Sequence, residues 1–145
     1  MRKLVKCNKE DYPILLGIWE RSVRATHDFL EENAMADIKK SMIPDYFPNV
    51  ELYAVSDNGL LVGFIGLREE KIEMLFVDSG YRGRGYGSML IEFARQRGVT
   101  KVDVNEQNPS AIAFYLDRGF NVTGRDETDE AGRPYPILHL YCRNV

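Results

Sequence analysis

The sequence predicts an α/β domain: one mixed sheet of about seven strands with four helices on its two faces. Three observations predict it. Apolar stripes at helical spacing alternate with short apolar strands, in the order βααβββαβαββ. An Asn58-Gly59 pair between two strand-like runs demands an antiparallel hairpin, because it supplies the positive φ angles of a tight turn. Strand–helix–strand successions after residue 71 demand some parallel pairing.

Each element has a local reason. Residues 2–7 read as a first strand. Residues 10–25 read as a helix, with Ile14, Leu15, Ile18, Trp19, Ser22 and Val23 along one side and Pro13 in the first turn, where a missing N–H costs little. A second helix is predicted at about 30–43, ending before the loop marked by Pro44 and Pro48. Residues 51–56 and 60–68 flank the Asn-Gly turn as paired strands. Residues 71–78 form a strand made apolar on both faces by Leu75, Phe76 and Val77, as a covered central strand requires. Gly85 to Arg97 is a helix with Met89, Leu90, Phe93 and Ala94 as its buried stripe and Gly98 as its stop. A strand over 101–105 precedes a helix capped by Asn108, with Pro109 at its first position and Gly119 at its end. Residues 120–127 and 137–143 are the last strands, joined by a polar loop over 128–136.

Bulk properties narrow the function. The 145 residues suit one domain, 1–145, with no repeat or linker. No apolar run approaches the roughly 20 residues of a membrane span, and no signal peptide is read, so a cytoplasmic protein without a membrane partner is expected. A net charge of −3 without a basic cluster argues against nucleic-acid binding. Cys7 and Cys142 lie near opposite ends, outside any metal or redox motif, and the two histidines are far apart, so no metal is expected.

Chemistry concentrates in Tyr81-Arg82-Gly83-Arg84-Gly85-Tyr86-Gly87-Ser88, between an apolar strand and an amphipathic helix. Glycines let several N–H groups aim at one point, and a helix N-terminus adds about half a positive charge. Both favour a phosphate or diphosphate, and Arg82 and Arg84 add full charges. A dinucleotide fingerprint fits poorly, since the spacing is G-x-G-x-G and the upstream hairpin and helices break that fold's order, although Asp103 falls 20 residues after Gly83. A P-loop fails for want of Gly-Lys-Ser/Thr. Arg82-x-x-Gly85-x-Gly87 after Leu75-Phe76-Val77-Asp78 resembles motif A of the GNAT superfamily of N-acetyltransferases. Independently, Asn108, Ala111, Phe114, Tyr115, Gly119 and Phe120 resemble motif B, Asn-x-x-Ala-x-x-Phe-Tyr-x-x-x-Gly-Phe, at matching spacing. Ile18-Trp19-x-Arg21-Ser22-Val23-x-Ala25-Thr26-His27-Asp28-Phe29-Leu30 and Gly132-x-Pro134-Tyr135-Pro136 look like a bacterial subgroup of the same family.

The resemblance implies a mostly antiparallel sheet, acetyl-coenzyme A as co-substrate, no metal, and direct attack of a primary amine on the thioester in a ternary complex. It places the cofactor against Leu75, Phe76, Val77, Arg82, Gly83, Arg84, Gly85, Tyr86, Gly87, Ser88, Asn108, Ser110, Ala111, Phe114 and Tyr115. An N–H of Leu75 or Val77 would donate to the thioester oxygen. Tyr115 is the candidate general acid, because a phenol of pKa about 10 is protonated at neutral pH and can quench a thiolate of about 8.5. Glu73, two residues before Leu75 and expected on its strand face, is the candidate base, with His27 and Glu106 as rivals. Trp19, His27, Phe29 and Tyr135 are candidates to line an acceptor pocket, with Trp19 read first as a core residue. Acidic Asp28, Glu31 and Glu32 suit either a cationic amine or plain solvation. The acceptor is a small-molecule or peptide amine, the chain a monomer or homodimer, and a non-catalytic acyl-CoA sensor remains the alternative.

Overall fold

The computed structural model describes residues 1–26 and 31–143. The described residues form seven strands: β1 (Arg2–Lys6), β2 (Glu51–Asp57), β3 (Leu60–Arg68), β4 (Lys71–Val77), β5 (Lys101–Asn105), β6 (Asn121–Asp126) and β7 (Ile137–Tyr141). Four α-helices accompany them: α1 (Tyr12–Thr26), α2 (Glu32–Ser41), α3 (Tyr86–Gln96) and α4 (Pro109–Asp117). The strands make one sheet in the spatial order β1-β2-β3-β4-β5-β7-β6, antiparallel everywhere except between β4 and β5.

The ends of the elements follow the local chemistry. Asn58 (φ 53°) and Gly59 (φ 85°) make the predicted hairpin turn. A 3-10 turn over Lys9–Asp11 leads into α1, closed by a hydrogen bond from Glu10 N–H to Asn8 Oδ1 (3.0 Å) and one from Asn8 N–H to Asp11 Oδ2 (2.9 Å). Beyond α2 the chain does not relax into the expected loop. It continues as a π-turn over Met42–Tyr46, in which Phe47 N–H reaches Met42 O, and then a 3-10 turn over Phe47–Asn49. Pro44 has no N–H to donate, and the wider winding carries the chain past it. Phe47 anchors the turn, fully buried with Tyr12 and Phe64 rings at 5.2 and 5.9 Å. The last strand stops at Tyr141, short of the predicted 143.

Side-chain alternation sorts the strands into two cores. Leu15, Ile18, Trp19 and Val23 of α1 and Met35 of α2 pack on Leu52, Ala54 and Phe64, with Met74 and Phe76 beside them. On the opposite face Tyr86, Leu90, Ile91 and Ala94 of α3 and Tyr115 of α4 pack on Val55, Val62, Ile65, Ile72, Val102, Val104 and Leu140. β4 serves both cores, which is why its sequence is apolar at successive positions. Phe64 is fully buried in the α1-side core. Phe64→Ala is expected to cost about 3–5 kcal/mol, read from the urea unfolding midpoint at unchanged m-value.

A cleft at the fork of the sheet

The parallel pairing of β4 with β5 covers only Lys71 with Lys101 and Ile72 with Val102, after which the strands part. Asp78 N–H donates to Val62 O across the β3 side (2.8 Å). Because backbone groups alternate along a strand, Phe76 and Met74 face β3 in the same way, and the N–H and C=O of Leu75 and Val77 face the gap. β5 behaves alike: Glu106 N–H bonds Pro136 O and Cys142 N–H bonds Thr100 O, so Asp103 and Asn105 turn their main-chain groups to the fork.

A cavity of about 330 Å³ occupies this fork. On the α3–α4 side it meets Tyr81, Arg82, Gly83, Gly85, Tyr86, Gly87, Asn108, Ser110, Ala111, Phe114 and Tyr115. Toward α1 it meets Ser22 and Thr26, and along the strands Glu73, Leu75, Phe76, Val77, Asp103 and Asn105. The cleft thus passes through the sheet from one face to the other.

The glycine-rich turn forms a cradle of donors. Gly85, with φ 87°, is the N-cap of α3, a left-handed angle that a side chain resists. Among the described residues no acceptor takes the N–H groups of Arg82 to Ser88, and intrahelical bonding resumes with Met89 N–H to Gly85 O (3.1 Å). A Cβ on Gly87 would stand 3.1 Å from two ring carbons of Phe114, so glycine there lets α4 close against α3. Arg118 locks the seam: its guanidinium stacks 3.7 Å from the Phe114 ring centroid and donates to Phe114 O (2.9 Å) and Ser88 Oγ (2.6 Å). Asn108 caps α4 by accepting from Ala111 N–H (3.2 Å). These donors, the open edge of β4 and the Phe114 wall fit a diphosphate joined to an extended amide chain.

Tyr115 is buried on the cleft wall, and its hydroxyl bonds no described residue. Burial pushes its pKa well above the ordinary phenol value, so it keeps its proton at neutral pH. Glu73 also reaches the cleft, but not by the expected alternation. Met74 opposes Gly66 while Ile72 opposes Leu67, which makes Glu73 the extra residue of a β-bulge. The bulge explains why Ile72 and Leu75, three apart, both serve the α3-side core. Glu73 Oε1 accepts from Arg68 Nη2 (3.1 Å) and lies 3.9 Å from Lys71 Nζ.

Several expected site residues lie elsewhere. Trp19 is 4 % exposed and belongs to the α1-side core, since it shares the apolar stripe with Leu15 and Val23. Ser22 and Thr26, farther along that helix, take the cleft wall instead. The Arg84 side chain stacks over Tyr81 (5.2 Å) and the Ser88 hydroxyl is engaged by Arg118, so these two offer the cradle only their main-chain N–H groups, while Tyr135 sits half-buried in the β6–β7 turn. Glu106 is bound by Arg125 (Nη2 to Oε1, 3.1 Å), whose hydrogen bond holds its carboxyl below the usual range. His27 and Phe29 lie outside the described residues, as does Asp28. Sequence reasoning missed the two-pronged bond of Arg21 to Asp78 (2.9 and 2.9 Å), which pins α1 to the end of β4, and the placing of Asp103 and Asn105 on the cleft.

Comparison with known proteins agrees with this geometry. The profile of the acetyltransferase (GNAT) domain matches residues 48–122. The peptidyl-lysine N-acetyltransferase YjaB of Salmonella typhimurium is 43% identical over 143 residues, covering 97% of each chain. YjaB of Escherichia coli is 41% identical over 87% of this chain and 86% of its own. The solution structure of apo-form YjaB from Escherichia coli superposes with a TM-score of 0.91 at 35% identity, covering 100% of this chain and 99% of that one. The chain belongs to the GNAT family of acetyltransferases. It is an acetyl-CoA-dependent N-acetyltransferase. Among the described residues no group of three or more His, Cys, Asp or Glu could hold a metal ion, and no helix is long and apolar enough to cross a membrane.

Gly85→Ala places a side chain at a left-handed angle and is expected to cost about 1–2 kcal/mol, measured by denaturant unfolding in the absence of ligand.

Proposed function

We propose that this enzyme acetylates the side-chain amine of lysine in a peptide or protein, with the cofactor on the α3–α4 side of the fork and the acceptor entering from the α1 side. The observation that carries this is the cleft running through the sheet. Its α3–α4 mouth is a cradle of unbonded amides suited to phosphate, and its α1 side presents Glu73 and Asp103, suited to a cation. Relatives that share almost its whole length are named peptidyl-lysine N-acetyltransferases, which supports lysine over a small drug or polyamine.

The cofactor supplies an activated acetyl thioester. The amides of Arg82 to Ser88 grip its diphosphate, and the free edge of β4 at Leu75 and Val77 pairs with its amide arm. One of those two N–H groups donates to the carbonyl oxygen as negative charge grows there, a contribution worth about 2.7–4 kcal/mol where such donors have been removed. Tyr115 carries the proton for the departing thiolate, since its buried phenol stays protonated. Glu73 takes the proton of the incoming amine, directly or through water, and its neighbours Arg68 and Lys71 keep it oriented. The enzyme works as a monomer or homodimer. The free thiols of Cys7, pushed by burial up to about 12, and Cys142 support a cytoplasmic setting.

Incubation with acetyl-CoA and peptides that differ only in the presence of lysine, read by mass spectrometry, tests the acceptor. Acetylation confined to lysine Nζ is expected; acetylation of α-amines alone contradicts it. Tyr115→Phe is expected to lower kcat by about 10²–10³ while the Kd for acetyl-CoA stays nearly constant, by stopped-flow and calorimetry. Glu73→Gln is expected to lower kcat/KM for the acceptor by about 10²-fold in steady-state assays, whereas His27→Ala leaves it nearly unchanged.

A further inference from the structure

Ser22 interrupts the buried stripe of α1. Leu15, Ile18, Trp19 and Val23 on that face are apolar, and Ser22, only 7 % exposed, sets a hydroxyl among them. A mid-helix serine or threonine ordinarily turns its hydroxyl back to the carbonyl four residues earlier. Thr26 does so, donating to Ser22 O (2.9 Å). The Ser22 hydroxyl makes no such bond and meets no other partner among the described residues. A buried hydroxyl left without a partner is costly, so its place in the fold calls for a ligand.

The surroundings of Ser22 define what that ligand is. Ser22 stands on the wall of the cleft with Glu73, Met74 and Phe76 of β4 and Asp103 and Asn105 of β5. Met74 and Phe76 pack with the α1-side core. Val102 and Val104 belong to the opposite core, so the alternating Asp103 and Asn105 stand on the α1 face of β5. The phosphate cradle opens on the other face of the sheet. The hydroxyl therefore has apolar surface beside it for an alkyl chain, and the carboxylates of Glu73 and Asp103 for a positive charge. We propose that Ser22 is an acceptor-binding residue: its oxygen accepts an N–H of the incoming lysine amine, whose alkyl stem lies along Met74 and Phe76. This rests on the assignment of the α1 side to the acceptor.

The contact has a definite use in the reaction. A lysine ammonium carries three protons and no lone pair, and it becomes a nucleophile only after Glu73 takes one of them. The amine that remains has two N–H groups and one lone pair. A hydrogen bond from one N–H to Ser22 Oγ limits rotation about the bond to Nζ, so the lone pair is held toward the thioester carbon rather than sweeping the cleft. Ser22 takes no proton in this step and so duplicates neither Glu73 nor Tyr115. The serine is itself held in place. Core packing of Ile18, Trp19 and Val23 sets the rotation of α1, and the neighbouring Arg21 is bonded twice to Asp78 at the end of β4 (2.9 and 2.9 Å).

The test is Ser22→Ala, which removes one oxygen and leaves a good helix former. Because the lost hydroxyl has no partner in the protein, the urea unfolding midpoint is expected to hold or to rise. In steady-state assays on an N-terminally blocked lysine peptide, kcat/KM for the peptide is expected to fall about five- to tenfold, with the Kd for acetyl-CoA unchanged by calorimetry. A peptide kcat/KM within about twofold of wild type, or a matching loss of acetyl-CoA affinity, would overturn the proposal. A second peptide, whose one amine is its N-terminus, separates this contact from the lysine assignment. If the wild type acetylates that peptide and not the lysine peptide, the lysine assignment fails. The Ser22→Ala ratio is then read on the second peptide, where the same loss would uphold the hydroxyl contact and an unchanged ratio would remove it.

Discussion

Everything in this molecule depends on where two parallel strands stop pairing. β4 and β5 share two residue pairs and then separate, which leaves main-chain donors and acceptors of both strands without a partner strand. Unpaired main-chain groups away from water are costly, so such an opening persists only where something else can bond them. At the other end of β4 the amides of Arg82 to Ser88 likewise meet no acceptor among the described residues. Two neighbouring sets of open donors, one on a strand edge and one at a helix start, define a path for a ligand that is a phosphate at one end and an amide chain along its length.

The surrounding packing holds the fork open. α3 and α4 close beneath it because Gly87 admits the Phe114 ring and Arg118 joins the two helices. Above it, α1 is fixed to the end of β4 by the paired bonds of Arg21 to Asp78, whose carboxylate is only 14% exposed. That geometry, bidentate and partly shielded, distinguishes it from the exposed pairs elsewhere on the surface, such as Arg24 with Glu32, which contribute little. The rigidity of the site thus comes from apolar packing on both faces of β4 and one well-formed ion pair.

Most of the fold was legible in the sequence because its elements carry local signals. The Asn58-Gly59 turn, the Asn108-Pro109 helix start, Gly98 and Gly119 as helix stops, and the doubly apolar β4 each announce themselves within a few residues. The two segments that meet at the cleft were legible for the same reason, since the glycine-rich turn and the Asn108-to-Phe120 segment are each contiguous. What escaped detection was long-range. The insertion of β7 between β5 and β6, the bulge at Glu73 and the contact of His139 with Asp103 across β7 and β5 depend on register between distant strands, which periodicity does not encode. Trp19 illustrates the remaining difficulty: its spacing marks the buried stripe, and only the path of α1 over the fork separates it from Ser22 and Thr26. The helical passage through Pro44 was hidden because proline ordinarily ends a helix.

The most direct check is an amide-resolved titration with coenzyme A, following 15N shifts and hydrogen exchange of the whole backbone. Protection and large shifts should fall on Leu75, Val77 and the run from Gly83 to Ser88, with the β1–β2 edge unaffected. Binding that leaves the Leu75 and Val77 amides exchanging as freely as before would contradict the fork as the seat of the cofactor.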